Sequence, residues 1–127
     1  MKSLKLTKNF NLAEFHSKDG VEVPEKYYPN VKEVAKNLQI LRDEIGEPLF
    51  ISGSGYRSAK HNKAVGGAPL SQHLTASAAD ISAKNLTPKQ LAAIIEKLIK
   101  AGKMKQGGIG IYRGFVHYDI RGTKARW

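Results

Sequence analysis

Cysteine is absent from the sequence, which excludes disulfides and thiolate metal sites, so any metal must be held by His, Asp or Glu. Long hydrophobic runs are absent too. The longest apolar stretches are broken by charges within a few residues, and the opening "MKSLKLTKNF" lacks the continuous apolar segment that a signal peptide or a membrane span requires. The chain is therefore expected to be made in the cytoplasm without a signal and to engage no membrane. Acidic residues are scarce: 11 stand against 21 lysines and arginines, for a formal charge of +10. Such a surplus favours a polyanionic partner, either nucleic acid or an acidic cell envelope, although a lysine-rich solvated surface accounts for it equally well. No recognition helix and no stacking motif with interleaved aromatics is visible, so a nucleic-acid partner is not expected. Repeats and low-complexity segments are also missing. With 127 residues and 41% hydrophobic content, the chain can bury one core but not two, and a single domain over 1–127, acting as a monomer, is expected.

Residues 1–29 read as irregular, with a helical turn at "NLAEF". From Asn30, Val31, Val34, Ala35, Leu38, Leu41 and Ile45 recur at helical spacing, with Asn30 as N-cap and Gly46 as the stop. "PLFISGSGYR" reads as a short buried strand running into a glycine-rich loop, and "SAKHNKAVGGAPLSQH" as a loop with one helical turn. "ASAADISA" places Asp80 on a strand. In "TPKQLAAIIEKLIKAG", Thr87, Pro88 and Gln90 form a capping-box signature, and the helix ends near Gly102. "GGIGIYRGFVHYDI" predicts two strands around a tight turn at Arg113 and Gly114. Its alternation puts Phe115, His117 and Asp119 on one face and Val116, Tyr118 and Ile120 on the other. Together these elements predict an α+β domain with a small, mostly antiparallel sheet and flanking helices.

His73 and Asp80 lie seven positions apart in "SQHLTASAAD", among small residues that let the chain pass close to a metal, and His117 lies on the last predicted strand. Two imidazoles and a carboxylate are the donor types of a catalytic zinc site, which takes three protein ligands and leaves a position open. Taken alone, the first pair reads more readily as a hydrogen-bonded histidine and a turn aspartate, and the metal reading gains only from the rest of the chain.

"SGYRS" at 54–58, the "SQH" to "AAD" segment, "GGIGIY", "FVHYD" and the terminal "ARW", taken in order, resemble the zinc D,D-carboxypeptidases and their endopeptidase relatives, specifically the small single-domain members found in peptidoglycan hydrolases and phage proteins. The likeness runs from about Ser52 to Trp127, and residues 1–50 match loosely. It implies a hedgehog/D-Ala-D-Ala-peptidase type of fold and Zn2+ as cofactor. His73 and Asp80 fall on the Ser-x-His-x-x-Gly-x-Ala-x-Asp ligand motif, and His117 on the third ligand. Ala76 stands where that motif has glycine, a costly change if the backbone there needs a positive φ. Arg57 falls on the arginine that faces substrate, able to hold a carboxylate or steady a carbonyl oxygen as it gains charge.

The glutamate that some members carry three residues before the last histidine is Gly114 here. Asp119 is then either the general base or the acceptor that orients a ligand histidine. His16 and His61 are expected to stay away from the metal, and Tyr56, Tyr112 and Trp127 to be core or groove aromatics. Ser71 lacks the base and acid that a nucleophile needs. The implied activity is hydrolysis of peptide bonds in peptidoglycan stem or cross-link peptides, by an enzyme acting on the wall as a phage lysin, a virion-borne enzyme or a bacterial hydrolase. The competing reading is a non-catalytic wall-binding or virion protein, or a basic nucleic-acid binder, on the same fold.

Overall fold

The computed structural model describes residues 4–127, so Met1, Lys2 and Ser3 of the charged N-terminal segment lie outside it. Helix α1 spans Tyr28–Ile45 and starts two residues before the predicted cap. Pro29 sits in its first turn, where a missing N–H and a fixed φ are tolerated. Asn30 is therefore helical, and its side chain does other work: the amide donates to the Thr75 carbonyl at 3.0 Å, tying α1 to the loop that carries His73. Gly46 ends the helix as expected, in the left-handed conformation at φ 69° with its N–H on the Arg42 carbonyl.

Helix α2 is the short turn Ala59–Ala64, capped by the Ser58 hydroxyl. Helix α3, Pro88–Lys100, carries the predicted capping box: Gln90 N–H donates to Thr87 Oγ1 at 3.1 Å, and Thr87 N–H donates to Gln90 Oε1 at 2.9 Å. Thr87→Ala removes one half of this box and is expected to lower stability by about 1 kcal/mol, read as a shift of the urea midpoint at unchanged slope.

The sheet has the order β1-β3-β2-β4, with β1 at Ala78–Ile81, β2 at Gly108–Ile111, β3 at Val116–Asp119 and β4 at Ala125–Arg126. β1 and β2 both run antiparallel to β3, as predicted, and the Arg113–Gly114 turn is closed by Tyr112 N–H on the Phe115 carbonyl at 3.0 Å. β4 pairs parallel with β2 and was not legible, because two residues are too few to show an alternation. The strand expected over "PLFISGSGYR" shrinks to a single bridge between Phe50 and Ser82. Pro48 removes a donor at its start. Beyond Phe50 the chain breaks the ladder to run beneath the site, where Gly53 and Ser54 exchange backbone hydrogen bonds with Asp80 at 3.3 and 2.8 Å.

One face of the sheet, with Ala79, Ile81, Ile109, Val116 and Tyr118, packs against α1 and α3 through Leu38, Leu41, Leu91 and Ile95, all buried. The alternation that buries these residues turns Asp80, His117 and Asp119 to the opposite face. The N-terminal segment, whose helical turn is Leu12–Phe15, supports that face from the side. Phe15 receives Tyr56 N–H on its carbonyl at 2.8 Å and lies so close to Gly55 that a Cβ there would be 2.9 Å from the Phe15 Cα. Among the described residues, no helix is long and apolar enough to cross a membrane.

Candidate metal centre

The seven-residue interval between His73 and Asp80 is a single turn followed by entry into a strand. His73 lies in the 3-10 turn Gln72–Thr75, whose cap Ser71 accepts the His73 N–H at 3.2 Å, so Ser71 is committed as a local cap. Ala76 then reverses the chain at φ 56°, ψ 32°. The positive φ at which alanine would be costly is therefore present, and it carries roughly 1–2 kcal/mol of strain relative to glycine. Asp80, on β1, is paired directly across from His117 on β3.

His73 Nε2 and His117 Nδ1 each lie 3.3 Å from Asp80 Oδ1 and 3.2 Å from one another. All three residues are buried, and their ligand atoms lie within 4.8 Å of one another. The remote nitrogens decide the tautomers. His73 Nδ1 sits 2.7 Å from the Gly55 carbonyl, which can only accept, and so carries the proton. His117 Nε2 sits 2.7 Å from Asp119 Oδ2 and likewise donates. In the neutral rings two imidazole lone pairs and a carboxylate oxygen therefore converge, and this N, O, N set suits a zinc ion, which would take the place of the proton that His117 Nδ1 otherwise shares with Asp80.

Burial would raise the Asp80 carboxyl pKa, but hydrogen bonds and charge from His117 and His73 outweigh it and hold the group well below the ordinary range. Burial likewise opposes charge on His117, and hydrogen bonds to Asp119 and Asp80 more than offset it, so the imidazole pKa is raised.

Asp119 is fully buried. Besides His117, its carboxylate accepts Gly108 N–H at 2.9 Å, Arg121 N–H at 3.1 Å, and the Arg121 guanidinium through Nε at 2.9 Å and Nη2 at 2.8 Å. Burial pushes its pKa up, but these bonds prevail and keep it ionised. A Cβ on Gly107 would collide with the Asp119 carbonyl and one on Gly108 with its carboxylate, which is why glycines precede β2's apolar residues. Arg121 was missed in the sequence. Continuing the alternation of His117 and Asp119 by two more positions would have found it.

Arg57 is held in place by Nε on Ser54 Oγ at 2.9 Å and Nη1 on Asn62 Oδ1 at 3.3 Å, with Nη2 3.6 Å from Asp80 Oδ2. It lines a cleft of about 510 Å³ that opens over His73, Asp80 and His117, together with Leu70, Tyr112, Phe115, Arg121 and Trp127. Asp80 is the only carboxylate among the described residues lining it. The Trp127 ring lies 5.0 Å from that of His117, which makes the terminal "ARW" part of the site.

The remaining histidines stand apart from this group among the described residues. His16 is buried and its Nδ1 accepts Val23 N–H at 3.0 Å, while His61 belongs to α2. Tyr56 is a core aromatic beside Tyr27, whereas Tyr112 and Trp127 face the cleft.

A family model described as Peptidase M15 matches residues 5–119, so the likeness extends well upstream of Ser52, into the segment that supports the Gly55–Arg57 loop. No curated protein and no solved structure matches the chain.

Proposed function

Because the chain belongs to the peptidase M15 family, we propose that it is a zinc peptidase that hydrolyses peptide bonds in the stem or cross-link peptides of peptidoglycan. The observation that carries this reading is the convergence of His73 Nε2, Asp80 Oδ1 and His117 Nδ1, within 4.8 Å of one another, on the floor of an open cleft. These three atoms would hold the metal. When bound there, zinc supplies Lewis-acid activation of water and of the scissile carbonyl.

The chain's own residues do the positioning. Gly55 and Asp119 hold the two imidazoles in the tautomers that turn their lone pairs inward. Arg57 presents a guanidinium beside Asp80, placed to bind a substrate carboxylate or to stabilise charge on the carbonyl oxygen. Of the two roles open to Asp119, orientation of His117 is the one its surroundings favour. A general base must reach the attacking water, whereas this carboxylate is sealed from solvent and its oxygens are taken up by His117, Gly108 and Arg121. A strongly cationic surface would draw the protein to an acidic wall.

Metal content of the purified protein, followed by mass spectrometry of digested sacculi, tests the whole reading. About one zinc per chain is expected, with fragments carrying a new amine and a new carboxylate at one stem or cross-link bond, which identifies the bond. Metal-free protein that binds DNA tightly and with strong salt dependence would instead support the nucleic-acid reading.

Arg57→Lys keeps the charge and loses the planar fork. Activity on peptidoglycan peptides is expected to fall by roughly one to three orders of magnitude. Zinc content should stay unchanged. Equal turnover by the variant would make Arg57 a surface residue only.

A further inference from the structure

Tyr112 stands at the rim of the cleft just beyond β2, 43% exposed, with its ring stacked on Phe115 at 4.7 Å between centroids. Its hydroxyl lies 2.8 Å from Trp127 Nε1. An indole nitrogen can only donate, so the phenol oxygen is the acceptor in this bond and its own proton must be directed elsewhere. Among the described residues no group accepts that proton.

The oxygen is also held in place. Trp127 is fixed by backbone hydrogen bonds to Ile109 and Ile111 at 3.1 and 2.9 Å, and its indole fills the space that a Cβ on Gly110 would occupy. The indole also lies beside the His117 ring, at 5.0 Å, and the Arg121 guanidinium, at 5.5 Å. A hydroxyl with one lone pair committed and a proton to give, anchored through one side chain to a metal-ligand residue, is a preorganised donor beside the site.

We propose that the Tyr112 hydroxyl is a substrate-binding group of the cleft, donating its free proton to a backbone carbonyl of the bound peptide and aligning that peptide along the aromatic wall beside His117. The inference rests on the peptidase reading above. It adds a contact that neither the ligand trio nor Arg57 supplies.

Tyr112→Phe tests it, because the change removes one oxygen while the ring can stay stacked on Phe115 and the ligands are untouched. Zinc content and melting temperature should match the wild type. The value of kcat/KM on purified muropeptides should fall roughly 10- to 100-fold, and calorimetric affinity for a phosphinate analogue of a stem peptide should fall by a similar factor. Equal affinity for the phosphinate in the two proteins would overturn the proposal. If the wild type cuts no muropeptide yet binds the phosphinate more tightly than Tyr112→Phe does, the peptidoglycan reading fails and the Tyr112 contact stands. A wild type that neither cuts nor binds removes both.

Discussion

His117→Ala is expected to yield a folded protein that retains no zinc and has no peptidase activity above background. The imidazole supplies one of three converging donors, and the remaining pair, His73 and Asp80, cannot make the three-ligand set that a catalytic zinc site uses. The loss of affinity should exceed the roughly 10- to 100-fold that follows removal of a group that merely orients a ligand. The fold should survive, because Asp119 keeps its hydrogen bonds to Gly108 and Arg121 when the ring is removed, so no buried charge is left unpaired. Asp80→Ala should behave in the same way. His73→Ala also leaves the Gly55 carbonyl without its partner, and about 1–3 kcal/mol of stability should be lost with the metal. Metal analysis after dialysis, circular dichroism and muropeptide hydrolysis on the same samples check all three. Stoichiometric zinc in His117→Ala would remove that residue from the ligand set.

The second large effect is expected from Asp119→Asn, and its form separates orientation from proton transfer. The carboxylate receives donors only: the His117 ring N–H, two backbone N–H groups and the Arg121 guanidinium. An asparagine must turn its NH2 toward one set of them, so either His117 and Arg121 Nη2, or Gly108 N–H with the Arg121 N–H and Nε, lose their acceptor. Zinc affinity should fall about 10- to 100-fold, and excess zinc should restore most of the rate. If Asp119 were the general base, zinc would stay bound and turnover would fall by roughly two to four orders of magnitude, with no rescue by metal. Titrating zinc into the variant while following metal content and hydrolysis together decides the matter.

What the sequence determined by itself was local, or nearly so. The capping box at Thr87, the stop at Gly46, the turn at Arg113 and Gly114, and the alternation across "FVHYD" each depend on residues within a few positions of one another, and each formed as read. The candidate ligand residues were named from their donor types and from the order of motifs along the whole chain, and local structure accounts for part of their meeting. His73 and Asp80 belong to one turn and its following strand, and the period of two brings His117 to the face opposite the core.

Tertiary structure decided what these residues can do. The 3-10 turn of His73 could be placed only by Asn30 from α1 holding Thr75 and by Gly55 accepting the ring proton, at separations of 45 and 18 residues. The environment of Asp119 depends on Gly108, eleven positions away, and on Arg121, and it is this crowd of donors, not the His-x-Asp spacing, that seals the carboxylate from water. Trp127 reaches His117 only because the two-residue strand β4 pairs with β2 and Gly110 leaves room for the indole. Spacing along a chain can name donor atoms, but the direction of a lone pair is set by whatever the far side of the ring touches, and that is a property of packing between distant segments.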